Sequence, residues 1–159
     1  MDAIVAVYDD WGIGANGTQP VAVSADRKFF RSTTKGAVVI VGRKTLADFP
    51  GGQPLPKRRN IVLTRQDVSM DGVEIAHSPG EAAQMVAGME NVFVIGGGSV
   101  YRQMLPMCEK VYVTKVHATP ESDTFFPNLD EEDGWKMTGI LESGEENGIR
   151  YEMCLYERA

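Results

Sequence analysis

The run Ala37–Val41, AVVIV, is apolar at every position, and all but its first residue are β-branched. Side chains alternate across a strand, so this segment needs cover on both faces. That is the situation of an interior strand in a parallel sheet with helices above and below. Ala3–Tyr8 and Asn91–Ile95 read the same way, as buried strands.

The other elements follow from local chemistry. Ser24-Ala25-Asp26 opens a helix, with Ser24 as its N-cap. Gly42 leads into a short helix over Arg43–Phe49, and the proline- and glycine-rich Pro50–Pro56 is irregular. Asn60–Thr64 and Val73–Ala76 are strands. Ser78-Pro79-Gly80-Glu81 is a capping-box pattern that opens a helix over Pro79–Ala87. Gly96-Gly97-Gly98 precedes a helix to about Leu105, and Lys110–Val116 is a further strand. Trp135–Glu142 and Ile149–Glu157 pair antiparallel through a turn over Ser143–Gly148. The order β-α-β-α-β-β-α-β-α-β-β-β predicts an α/β fold: a mostly parallel sheet with an antiparallel C-terminal hairpin and helices on both faces. At 159 residues, with 43% apolar and 24% charged side chains, the chain fits one domain over 1–159.

Twenty-two acidic residues against 16 basic ones give a net charge of −6, which argues against nucleic acid or an anionic membrane as partner. A small anionic ligand needs a local cationic cluster instead. Cys108 and Cys154 form no C-x-x-C pair, and MDAIVAVYDD is neither a signal peptide nor a membrane span. The expectation is a cytoplasmic protein with reduced thiols, monomeric by default. Asn16-Gly17-Thr18 matches a glycosylation acceptor, which has no meaning in that setting. His77 and His117 are isolated and lack metal-ligand spacing, so no metal is expected.

Four segments could carry chemistry. Asp26 lies in a first helical turn, with Phe29 and Phe30 three and four residues on. Next to an aromatic stripe its carboxylate loses solvent and its pKa rises; the plainer alternative is an acid placed to suit the helix dipole. Gly42-Arg43-Lys44-Thr45 suits a phosphate, although Ala37 holds the first glycine position of a P-loop and so breaks that motif. Thr64 and Arg65 end another strand, and parallel strand ends gather at one edge, so both groups could meet one anion. Gly96-Gly97-Gly98 lets a ligand approach the backbone, or is a tight turn. Lys57-Arg58-Arg59 could read a carboxylate, or is a solvated charge run. The long segment Asp9–Val23 is a functional loop or a disordered one.

In this order and at these spacings the motifs resemble the dihydrofolate reductase family over nearly the whole chain. The marks are Gly12-Ile13-Gly14, Ala25-Asp26 with Phe29-Phe30, Val41 through Thr45, and Pro54-Leu55-Pro56 leading to Arg58 and Asn60. Val94 through Tyr101, Thr114, Asp123-Thr124 and Phe126-Pro127 complete the set. The resemblance implies NADPH-dependent reduction of 7,8-dihydrofolate to tetrahydrofolate, in support of one-carbon metabolism, and binding of antifolates. It implies Asp26 as the pocket acid on the pterin, supported by Thr114, with Ile4, Ala6, Phe30 and Ile95 lining the pocket. Arg58 would hold the glutamyl carboxylate, with Arg27 nearby. For the cofactor it implies Ala6, Ile13, Gly14, Gly42, Arg43, Lys44, Thr45, Leu63, Thr64, Arg65, Ile95, Gly96, Gly97, Gly98, Ser99, Val100, Tyr101 and Gln103. Arg43, Thr64 and Arg65 would surround the 2′-phosphate. Gly96-Gly97 would be the family's cis peptide, and the loop from Asp10 to about Val23 a mobile lid.

The chain departs from the family at Pro20-Val21, where Pro-Trp is common, and near Gln19, where the lid methionine is replaced. It also departs at Arg27, at Ser99, and in the longer loop Pro50–Gln53. Two other readings stand beside this one: an NADPH-dependent reductase of another heterocycle, as in riboflavin synthesis, and a non-catalytic nucleotide-binding protein.

Overall fold

The AVVIV strand spans Val38–Gly42 in the computed structural model, which describes residues 1–15 and 19–159, and it is buried at every position. The glycosylation pattern at 16–18 and that part of the lid lie outside the described residues. The strands are β1 (Asp2–Val7), β2 (Gly12–Gly14), β3 (Val38–Gly42), β4 (Arg59–Leu63), β5 (Glu74–Ala76), β6 (Val92–Gly96), β7 (Lys110–Val116), β8 (Thr124–Phe125), β9 (Trp135–Glu146) and β10 (Ile149–Arg158). The helices are α1 (Ser24–Thr34), α2 (Arg43–Ala47), α3 (Pro79–Met85) and α4 (Gly98–Met104).

The main sheet has eight strands in the order β5-β4-β3-β6-β1-β7-β10-β9. Every pairing from β5 to β7 is parallel, and β10 runs antiparallel to both its neighbours. The alternation of β1 divides the core. Ala3, Val5 and Val7 join the larger cluster with Val94, Val113, Tyr101 and Phe126. Ile4 faces the other side with Phe93 and Ala37, and there Phe29 and Phe30 of α1 cover it. Ile40, Ile61 and Val94 are fully buried, each stabilising the fold by about 1.5–3 kcal/mol relative to exposure.

Several local expectations change. Ser24 is not the N-cap of α1. Val23 holds that position, and no side chain of the cap residue accepts from the helix. The C-terminal turn is only Asn147-Gly148, both at positive φ (52° and 80°), so β9 runs on through Ser143–Glu146. Asn-Gly is the preferred pair for a two-residue turn of this hand, and it overrides the turn propensity of the preceding residues. Within the long first loop, β2 pairs with β8 as a second, two-stranded sheet. A three-residue strand is too short to show a periodicity. The helices after Gly42, Ser78 and Gly97 end at Ala47, Met85 and Met104, somewhat earlier than predicted. Ser78 does cap α3, accepting from the Glu81 amide at 3.0 Å, but the Glu81 carboxylate returns to the His77 amide at 3.1 Å rather than to that of Ser78.

Candidate active site

The inner strands are buried almost throughout, but β1 opens to solvent at Ala6 and β6 at Ile95. Ala6 pairs with Thr114 of β7, which is buried. Helix α1 lies over this part of the sheet. Its Phe29 and Phe30 pack with Ile4, Ile95 and Tyr112. Asp26 occupies the first turn of the same helix, partly buried, with Thr114 close enough to act on its carboxyl. Burial raises the pKa of its carboxyl; the Thr114 contact and the nearby charge of exposed Arg27 pull the other way without cancelling it. The sheet, the aromatic side chains and one carboxylate thus form a half-apolar slot with an acid at one end.

At the other end of α1 stands Arg58. Its Nε donates to the Thr34 hydroxyl at 2.9 Å, and its other nitrogens donate to Pro56 O at 2.8 Å and Arg31 O at 3.4 Å. The guanidinium also lies 6.0 Å from the centroid of the Phe30 ring. Asn60, buried, fixes the loop that delivers Arg58: its side chain bonds the amide and carbonyl of Leu55 and the carbonyl of Arg58 at 2.9–3.0 Å. The three cations at 57–59 are therefore divided. Arg59 turns away and pairs with Glu74, Lys57 is exposed, and only Arg58 faces α1. Thr34, which the sequence reading did not single out, offers no motif; it matters only because the loop returns to it.

The glycine run forms a second feature at the carboxyl ends of the parallel strands. Gly96-Gly97 is a cis peptide, and Gly96 has φ 121°. A Cβ on Gly97 would stand 2.7 Å from Thr45 Oγ1, and one on Gly42 3.0 Å from Val100 Cγ2. A Cβ on Gly98 would meet Thr124 Cγ2 at 2.5 Å, with the Ile13 Cδ1 of β2 at 3.9 Å. So the ends of β3 and β6, the start of α2, and Ile13 of β2 converge where side chains are excluded. Tyr101 is buried here, donating to Ile4 O at 2.7 Å, and burial raises its pKa. Gln103 of α4 donates to Ser99 O and Oγ at 3.2 and 2.9 Å.

Arg43 and Lys44 open α2 at the same edge of the sheet where Leu63 ends β4 and Thr64-Arg65 follow. Among the described residues, none of Arg43, Lys44 and Arg65 has a salt bridge. Cations gathered at one strand edge and left unpaired suit an anionic ligand. The glycine cradle and this cationic edge together suit a phosphate-bearing ligand laid across the strand ends.

The long first loop is tied at both ends of its described parts. Gly14 O accepts from the Asp123 amide at 3.0 Å. The Tyr8 hydroxyl donates to Val21 O at 2.6 Å and accepts from Val21 N at 3.0 Å. Val21, which stands where the family commonly has tryptophan, packs with Tyr8, Val23 and Val116. His117 is not isolated: its two ring nitrogens lie 3.0 Å from Asp9 and 2.7 Å from Glu152. No cluster of side chains able to hold a metal occurs among the described residues.

Comparison with known proteins agrees with this arrangement. The family profile described as dihydrofolate reductase matches residues 1–158. The dihydrofolate reductase of Staphylococcus haemolyticus is 41% identical, over 99% of this chain and 95% of that protein. That of Bacillus subtilis (strain 168) is 35% identical over 92% and 87%. A solved structure, the Enterococcus faecalis dihydrofolate reductase complexed with NADP(H) and RAB-propyl, superimposes with a TM-score of 0.88. It is 33% identical and covers 99% of this chain and 95% of its own. The readings as a reductase of another heterocycle or as a non-catalytic binding protein are set aside, and the chain belongs to the dihydrofolate reductase family.

Proposed function

We propose that the slot between α1 and the sheet is where this enzyme binds dihydrofolate, with Asp26 and Arg58 at its two ends. The enzyme reduces 7,8-dihydrofolate to 5,6,7,8-tetrahydrofolate with NADPH. The observation that carries the placement is the spacing along α1. Asp26 and Thr34, the residue that holds Arg58, are eight positions apart on the helix, or about 12 Å at the usual rise. A flat heterocycle with hydrogen-bonding edges at one end and a carboxylate at the other spans such a distance. The ring meets Asp26 and Thr114 above Ile4, Ala6, Phe30 and Ile95. The carboxylate meets Arg58, with Arg27 adding positive charge near the slot.

When bound, NADPH supplies the hydride that passes to C6 of the substrate. Gly96, Gly97 and Gly98 hold its pyrophosphate side, together with Gly42, Thr45, Val100 and Tyr101. Arg43, Thr64 and Arg65 hold the 2′-phosphate, with Lys44, Leu63, Ser99 and Gln103 beside them. Ile13 and Gly14 close over the nicotinamide end next to Ala6. The Asp26 carboxylate then favours the cationic, N5-protonated form of the substrate by charge and orients the ring through its hydrogen bonds. The N5 proton arrives through water, since the acid contacts the far edge of the ring. We infer a monomer that works in the cytoplasm, where NADPH is supplied, and that binds antifolates in the same slot. Among the described residues no helix is long and apolar enough to cross a membrane.

The test is to mix the purified protein with NADPH and dihydrofolate and to follow the loss of reduced-nicotinamide absorbance, then to repeat it with Asp26→Asn. Oxidation that needs both substrates and falls in the variant supports the placement; unchanged turnover in the variant removes Asp26 from the site.

A further inference from the structure

Helix α1 begins without a side-chain cap of its own. The amides of a first turn have no partner within the helix and must find one elsewhere. Here they find Glu146, at the end of β9. One carboxylate oxygen accepts from the Ser24 amide at 2.7 Å. The other accepts from the Ser24 hydroxyl at 2.6 Å and the Ala25 amide at 3.3 Å. The next amide, that of Asp26, is taken by Val23 O at 3.2 Å. The apolar side of the same junction is also filled: Ile149 and Tyr151 of β10 pack with Val21, Val23 and Tyr8.

This changes what Asp26 can do. A short carboxylate in the first turn of a helix can fold back onto nearby free amides. Glu146 occupies those donors from outside the helix. The Asp26 side chain is half-buried on the helix whose Phe29 and Phe30 pack against the sheet, beside Thr114.

We propose that Glu146 is a positioning residue for the reaction: by capping α1 from the hairpin, it keeps the Asp26 carboxylate off its own helix and turned toward the substrate. The proposal rests on the reading of Asp26 as the substrate-binding acid. The glutamate touches neither substrate nor cofactor and acts only through the first turn of α1.

The experiment is steady-state kinetics with dihydrofolate, NADPH binding by fluorescence, and thermal melting, on Glu146→Ala, Glu146→Gln, Asp26→Asn and Asp26→Asn/Glu146→Ala. Losing the cap should raise KM for dihydrofolate and lower kcat/KM about five- to tenfold, with NADPH affinity within about twofold of the parent enzyme. Glu146→Gln should recover most of the loss, because its amide oxygen still accepts from the Ser24 amide and its NH2 can donate to the Ser24 hydroxyl. In the Asp26→Asn background, Glu146→Ala should add little. An impaired Asp26→Asn beside an unaffected Glu146→Ala overturns the positioning role alone, as does an equal loss in both backgrounds or a change confined to Tm. An Asp26→Asn enzyme with normal turnover overturns the reading of Asp26, and this proposal with it.

Discussion

The Thr34 hydroxyl accepts from Arg58 Nε at 2.9 Å and donates to Phe30 O at 2.8 Å, so the arginine is locked to the last turn of the helix that carries Asp26 in its first. Replacing Arg58 by leucine removes the cation that meets the substrate carboxylate. KM for dihydrofolate should rise roughly ten- to a hundredfold, the worth of a charge-assisted contact, while NADPH affinity stays put. Thr34→Val, which only loosens the arginine, should give a smaller rise in the same constant.

Asp26→Asn should separate stability from activity. Burial raises the pKa of this carboxyl above its usual 3.8. The native state therefore holds the proton more tightly than the unfolded chain, and stability falls as pH climbs from about 3.8 through the raised value. Asparagine carries no such penalty. The variant should melt above the parent at pH 7, and the gap should close below the ordinary carboxyl pKa. Turnover should move the other way, down by about a hundredfold at neutral pH and by less in acid, where substrate arrives already protonated. A pH-independent loss of rate would contradict the electrostatic role.

His117 faces a carboxylate from each ring nitrogen, Asp9 at 3.0 Å and Glu152 at 2.7 Å. A neutral imidazole has one N–H, so only the imidazolium satisfies both. The hydrogen bonds to Glu152 and then Asp9 raise its pKa above 6.5. The stabilisation is therefore whole below pH 6.5 and fades as pH rises through the higher native value. Since the side chain is 36% exposed, His117→Gln should lower Tm at pH 6 by no more than about 3 °C. That gap should vanish in alkaline buffer, and NMR titration of the ring gives the native pKa directly.

Gly98→Ala puts a methyl 2.5 Å from Thr124 Cγ2. Thr124 cannot swing away freely, because its hydroxyl bonds Asp123 at 2.9 Å. The substitution should destabilise the fold by roughly 1–3 kcal/mol and weaken NADPH binding. Adding Thr124→Ser, which deletes the opposing methyl, should restore most of the lost Tm.

Arg65 has no salt bridge among the described residues and lies two residues past the end of β4 at Leu63. Arg65→Ser should weaken NADPH binding roughly ten- to a hundredfold and leave NADH binding nearly unchanged. The salt dependence of NADPH affinity should flatten at the same time. Equal losses for both nucleotides would place Arg65 away from the 2′-phosphate.

The candidate site is legible in the sequence where its residues are contiguous. Asp26 with its two phenylalanines, the glycine run, and Gly42 through Thr45 are each local patterns; the first opens α1 with its rings packed on the sheet, and the other two meet at the ends of β3 and β6. The run at 57–59 was ambiguous for a physical reason. Three adjacent cations look alike in sequence, and only the return of the loop to Thr34 and of Arg59 to Glu74 tells them apart. His117 looks isolated in the sequence because its partners come from the turn after β1 and from β10, which no spacing brings together.

By itself, the sequence determined the order of the helices and of the main-sheet strands, the buried identity of the central strands, the antiparallel close of the chain and the candidate residues for chemistry. These depend on side-chain periodicity and on turn residues, which act over a few positions. Tertiary structure alone decided which strand-end groups share an edge, that β2 finds β8, that Tyr8 grips Val21, and that Glu146 rather than Ser24 closes the first turn of α1. A helix end takes whichever acceptor reaches its free amides, and that acceptor can come from any part of the chain the sheet carries to it.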